Sequence, residues 1–181
     1  MRNPDFVIAR LGALIALAGL AAGCGPRAQT RTATTTGDAG YRDVMSRTDI
    51  RGNAVADEPA TRATVVIVFA SWCQPCRTEL AILRDLVRDR PNLRVIGVNA
   101  YEEFDDLSDE QALDAFLREA HPWLTVVRAD ATLLKSLGGV RKIPSLFVFG
   151  RDGARLKEYR RSRRAPPTRT ELAALLDPLL G

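Results

Sequence analysis

The sequence predicts an α/β domain: a central mixed β-sheet flanked by helices, ending in an antiparallel hairpin and a C-terminal helix. Three observations carry that reading. β-branched runs recur, "TVVIVFA" (64–70) and "LRVIGVN" (93–99) being the clearest. Continuous apolar runs of that length suit strands covered on both faces. Segments of helical spacing alternate with them, which argues for parallel strands joined by crossover helices. Late in the chain "RDG" separates "SLFVFG" (145–150) from "ARLKEYR" (154–160), a hairpin signal.

The elements follow in order from Thr64. After the first strand, "CRTELAILRDLVRDR" (76–90) carries Leu80, Leu83 and Val87 at spacing for one helical face, and Pro91 and Asn92 end it. The second strand leads to "SDEQALDAFLREA" (108–120). Ser108 with Gln111 makes a capping-box pattern, and Leu113, Phe116 and Leu117 form the apolar stripe. "LTVV" (124–127) is a short strand, and "DATLLKSLGG" (130–139) is a short helix stopped by glycines. After the hairpin, "TRTELAALLDPLL" (168–180) is a closing helix with Pro178 near its end. Residues 41–64 scatter Val44, Met45, Ile50 and Val55 among polar residues, and we expect a short strand or hairpin on the sheet edge.

The chain has 181 residues, enough for one domain with a sizeable core. A net charge of +4 is too mild to argue for nucleic acid, and no helix-turn-helix, zinc-finger spacing or aromatic-basic platform is present. Nucleic acid is therefore not an expected partner. The basic stretch 155–169 could face anionic lipid or an acidic partner, but a charged edge strand that blocks pairing is the plainer reading.

The N-terminus reads as an address. Arg2 and Arg10 precede an apolar run from Leu11 to Ala22. A membrane-spanning helix needs about 20 apolar residues, so this run reads as the core of a secretory signal over residues 1–23. "LAAGC" then resembles a bacterial lipoprotein processing site, which implies cleavage before Cys24 and lipid on its thiol. Leu20 stands four residues before the cysteine, whereas the usual pattern has its large aliphatic residue three before, where Ala21 stands. The alternative is an ordinary signal peptide that leaves Cys24 a free thiol. Gly25, in place of an aspartate that would resemble an inner-membrane retention signal, leans toward the outer membrane. Residues 25–40, rich in Thr, Ala and Gly, read as a flexible tether behind Cys24, spanning about 20–25 Å as a coil. The folded domain is expected over residues 41–181.

The chemistry lies in "FASWCQPCRTEL" (69–80). Cys73 falls just past the C-terminal end of the first strand, where open α/β sheets place their sites. Cys76 lies in the first turn of the next helix, whose unsatisfied N–H groups and dipole favour a thiolate at Cys73. Trp72 and Pro75 shield and stiffen the turn. A structural staple usually closes a longer loop. Zinc wants four ligands, and this pair lacks a second pair. A copper site using Cys73, Cys76 and His121, the only histidine, is a rival, although His121 with Pro122 and Trp123 reads as a loop residue just before a strand. A redox pair fits best, since Cys-x-x-Cys beside a βαβ pattern is a redox motif.

"WCQPC" followed by "RTEL", with "GGVRKIPSLFVFGRDGA" further on, resembles the thioredoxin-like family, and most closely its membrane-tethered TlpA/ResA-type thiol-disulfide oxidoreductases of bacteria. The resemblance covers about residues 60–180. It implies a cis proline facing the cysteines, matched by Ile143-Pro144, where the backbone of Ile143 would pair with an extended substrate. It implies that Glu79, one helical turn past Cys76, moves a proton to or from that sulfur; without it Glu79 would read as a surface residue. It implies that Trp72, Pro75, Ile143 and Pro144 line an apolar rim for protein substrates. No metal or organic cofactor is expected, and a membrane electron donor would re-reduce the pair. The place would be the cell envelope, facing the periplasm. Members include reductants of apocytochrome c thiols. Two departures stand out: Ile67 occupies the place where cytosolic thioredoxins carry a buried aspartate, and Ala81 replaces a common helix-kinking proline. Other functions weighed are a periplasmic disulfide oxidant or isomerase, a copper metallochaperone, and a surface lipoprotein that merely keeps the fold. A peroxidase of the peroxiredoxin type is discounted because Ala70, not Thr, stands three residues before Cys73.

Overall fold

The strand read first from the sequence is the centre of the sheet. In the computed structural model, which describes residues 37–104, 110–161 and 163–181, β1 (Ala63–Phe69) is buried along its whole length. Its side chains alternate between two cores: Val65, Ile67 and Phe69 enter one, Val66 and Val68 the other. That two-sided burial is why the segment is continuously apolar.

The remaining elements are α1 (Ala39–Met45), α2 (Gln74–Asp89), β2 (Leu93–Asn99), α3 (Glu110–Ala120), β3 (Thr125–Arg128), α4 (Ala131–Ser136), β4 (Ser145–Gly150), β5 (Arg155–Arg160) and α5 (Arg169–Leu180). The sheet order is β3-β2-β1-β4-β5. β1 pairs parallel with β2, and β2 with β3, whereas β4 runs antiparallel to both β1 and β5. The mixed sheet and closing hairpin are as expected. On one face, α2, α3 and α5 supply Leu80, Leu83, Leu86, Leu113, Phe116, Leu117, Leu172 and Leu176. On the other, α1 and α4 supply Val44 and Leu133. Each such side chain, taken fully out of water, contributes about 2 kcal/mol before entropy is charged against it.

The region before β1 corrects the expectation. Residues 39–45 are a helix, not a strand, and it starts inside the stretch read as tether. Asp38 caps it, accepting from the N–H groups of Gly40 and Tyr41, and also pairs with Arg155 at 2.7 Å. The Asp38 N–H donates to the Gly153 carbonyl in the β4–β5 turn. A short capped helix of seven residues carries only Val44 as a buried large apolar residue, too little for periodicity to register. The hairpin survives only as a single bridge, Thr48 to Ala54, around which the Ile50 N–H donates to Val126 on edge strand β3. Leader, Cys24 and the greater part of the tether lie outside the described residues, as does Ser108 of the expected capping box. α2 runs unbroken past Ala81.

Candidate functional site

The path from β1 into α2 builds the site. After Phe69 the chain turns through Ala70, Ser71 and Trp72, and the Cys73 N–H donates back to the Ala70 carbonyl at 3.2 Å. Cys73 is the N-cap of α2. Its backbone is extended, and its Sγ accepts from the Cys76 N–H at 3.3 Å. Pro75 stands in the first turn, where a missing N–H costs nothing. Cys73 and Cys76 are joined in a disulfide with Cα atoms 5.2 Å apart. Cys73 is 4% exposed and Cys76 fully buried. On reduction, a sulfur at the Cys73 position meets a helix N-terminus and a backbone donor, both of which favour the thiolate.

The second segment arrives from β4. The Ile143–Pro144 peptide bond is cis. Continuing the β1–β4 register beyond Val68↔Ser145 sets Pro144 and Ile143 alongside Phe69 and Ala70, at the sheet end that carries the disulfide. Pro144 is buried, while half-buried Ile143 packs against both cores. The loop before it is anchored, with the Gly139 and Val140 N–H groups both donating to the Leu134 carbonyl and the Ser145 hydroxyl to the Lys142 carbonyl. Trp72 is half-buried and stacks on Phe104 at 5.6 Å, and Pro75 is exposed beside it.

Glu79 is not on the surface. It is 2% exposed, on the inner face of α2 with Cys76. Its Oε1 is buried without a hydrogen-bond partner among the described residues. Burial first, and the Glu171 carboxylate second, push its carboxyl up to about 7.

A second buried glutamate was not foreseen. Glu102, in the turn after β2, accepts from the Ser71 N–H at 3.0 Å, from the Ser71 hydroxyl, and from the Asn99 side chain at 2.5 Å. Asn99 in turn accepts from Arg128, which pairs with Glu110. The neighbouring Tyr101 carbonyl accepts from Trp72 Nε1 at 2.8 Å. The sequence shows only a run of acids, "YEEFDD", and nothing in it marks which acid turns inward.

The copper arrangement does not assemble. His121 is buried against Phe116, with ring centroids 4.5 Å apart, and near Trp123. Burial, helped by Arg84 and Arg77, lowers its pKa to about 4. Among the described residues no three His, Cys, Asp or Glu side chains gather as a ligand set. In the basic stretch, β5 is an edge strand, and Arg155, Arg160 and Arg163 all pair with Glu158, while Arg164 pairs with Glu171. Arg155 and Arg160 also lie over the Phe147 ring. These cations are largely spent within the fold.

A family model described as thioredoxin-like matches residues 61–154, from just before β1 to the β4–β5 turn. The thiol:disulfide interchange protein CycY of Rhizobium leguminosarum bv. viciae is 33% identical over 93 residues, 51% of this chain and 46% of that protein. The chain thus matches about half the length of that relative. Among solved structures, a thioredoxin-like protein from Aeropyrum pernix superposes with a TM-score of 0.63 at 16% identity, covering 76% of this chain and 91% of that one. A secreted Mycobacterium tuberculosis disulfide oxidoreductase homologous to E. coli DsbE gives 0.59 at 16% identity, over 76% and 98%. At such identities the structures speak for the fold alone.

Proposed function

The chain belongs to the thioredoxin-like family, and from that premise we propose that it is a thiol-disulfide oxidoreductase reducing disulfides of exported proteins through Cys73 and Cys76. The observation that carries this reading is Cys73 Sγ seated on the Cys76 N–H at the head of the 16-residue α2, disulfide-bonded to Cys76 beside Ile143–Pro144.

The Cys73 thiolate attacks one sulfur of a partner disulfide, and the other partner sulfur leaves as a thiolate. Cys76 then attacks Cys73 Sγ and releases the second partner thiolate. The partner gains two electrons and this protein keeps the Cys73–Cys76 disulfide. Cys76 must lose its proton to attack, and Glu79, one turn below with a carboxyl poised near neutrality, is the acceptor we assign. Trp72, Pro75, Ile143 and Pro144 form the apolar rim, and the Ile143 backbone pairs with an extended substrate segment. A membrane donor supplies the two electrons that reset the pair. Apocytochrome c is the substrate to test first. The place we assign is the bacterial envelope, facing the periplasm on a lipid at Cys24, with the outer membrane favoured.

The equilibrium potential of the couple in glutathione and dithiothreitol buffers tests the direction. A value at or below about −250 mV supports a reductase, whereas one near about −120 mV reverses the direction to an oxidant. Absence of a reversible two-electron transition sinks the redox reading. Cys73→Ser is expected to abolish exchange, and Cys76→Ser to trap the mixed disulfide, visible as a mass adduct.

A further inference from the structure

The turn after β2 touches both halves of the site. Tyr101 has a φ of 61°, a left-handed backbone that residues other than glycine seldom adopt. Such an outlier is held only where its surroundings over-determine it, and points to a task. In that conformation its carbonyl faces the cysteine turn and accepts from Trp72 Nε1 at 2.8 Å. Its side-chain hydroxyl donates to the Val140 carbonyl at 2.7 Å. The next residue, Glu102, grips Ser71 through its N–H and hydroxyl.

Both ends of this strap are firm. On one side Ser71 and Trp72 lead directly into Cys73. On the other, the Val140 N–H, three residues before Ile143, is tied to the Leu134 carbonyl in α4. β1 and β4 hold the two halves together below the site, at Val68↔Ser145. Beyond that pair the two strands run on into loops, and Tyr101 links them, its carbonyl to Trp72 and its hydroxyl to Val140.

We infer that Tyr101 is a positioning residue that sets the distance between the nucleophile turn and the segment on which substrate lies, and so governs protein substrates but not small ones. This inference rests on the exchange activity proposed above. A small disulfide needs only the Cys73 thiolate. An extended peptide needs its sulfur at Cys73 while its backbone pairs at Ile143, so it feels the spacing. Loosening the strap weakens that two-point fit without touching either sulfur.

The test uses the full chain, reduced, with two probes. One is 5,5′-dithiobis(2-nitrobenzoate). The other is a short extended peptide whose central cysteine carries thionitrobenzoate as a mixed disulfide. In both, thiolate attack releases the same coloured thiol. Tyr101→Phe keeps the ring and removes the hydroxyl bond alone. The expected result is a fall of about fivefold in kcat/KM for the peptide, carried mostly by KM. The rate with the small disulfide and the potential of the Cys73–Cys76 couple stay as in wild type. An equal loss on both probes, or no loss on the peptide, overturns the inference while leaving the exchange reading intact. A wild-type protein inert toward both probes overturns the exchange reading and this inference with it.

Discussion

Glu79 lies on the inner face of α2, three residues past Cys76, and Glu102 lies in the turn after β2, against Ser71. Both are nearly inaccessible to water. Glu102 meets the Ser71 N–H and hydroxyl and the Asn99 amide, so its burial is compensated. Glu79 has an oxygen without a partner and a like charge at Glu171, so its charged form is disfavoured. A buried carboxylate that is satisfied holds structure, and one that is starved of donors titrates within the working range. The two buried glutamates thus divide into one that holds structure and one to which we assign proton handling.

The largest blow to this comparison is Glu102→Ala. It removes the carboxylate that accepts from Ser71 and Asn99 in a dry site and is expected to cost about 3 kcal/mol of stability, read as a lower urea midpoint at unchanged slope. A loss below about 1 kcal/mol would mean that Glu102 does not hold structure.

Glu79→Gln sharpens the contrast through pH. The folded-state carboxyl titrates at about 7, against 4.5 when unperturbed. Folded protein therefore holds that proton more tightly than unfolded chain. The associated stability is present below about pH 4.5 and lost as pH rises through about 7. Relative to the variant, wild type should lose about 2 kcal/mol across that window. His121, held neutral down to about pH 4, acts oppositely, removing stability as pH falls from 6.5. It is common to both proteins and cancels in their difference. Stability curves that run parallel from pH 4.5 to 7.5 would remove Glu79 from the proton-handling role.

Glu103→Gln is the control. Its side chain is exposed, one residue from Glu102. Stability should change by no more than about 0.5 kcal/mol, with exchange unaffected.

Much of this was legible in the chain itself. β1 and β2 announce themselves because two-sided burial demands unbroken apolar runs. Cys73 and Cys76 were legible because turn chemistry and spacing are local, and Pro144 through the family resemblance. The helix at 39–45 was not, since its stability comes from Asp38 meeting Arg155 and Gly153, partners more than a hundred residues away. Helical spacing put Glu79 one turn past Cys76, and only the family resemblance singled it out. Its unpaired burial was not legible, because that depends on α5 arriving with Glu171.

The sequence by itself determined the order of strands and helices from β1 onward, the Cys-x-x-Cys spacing and the head of α2, all consequences of local pattern and backbone chemistry. Only the tertiary structure decided which carboxylates are dry, which of them are satisfied, and that Tyr101 bridges the two halves of the site. Those properties depend on distances between segments far apart in the chain, and no local pattern encodes such distances.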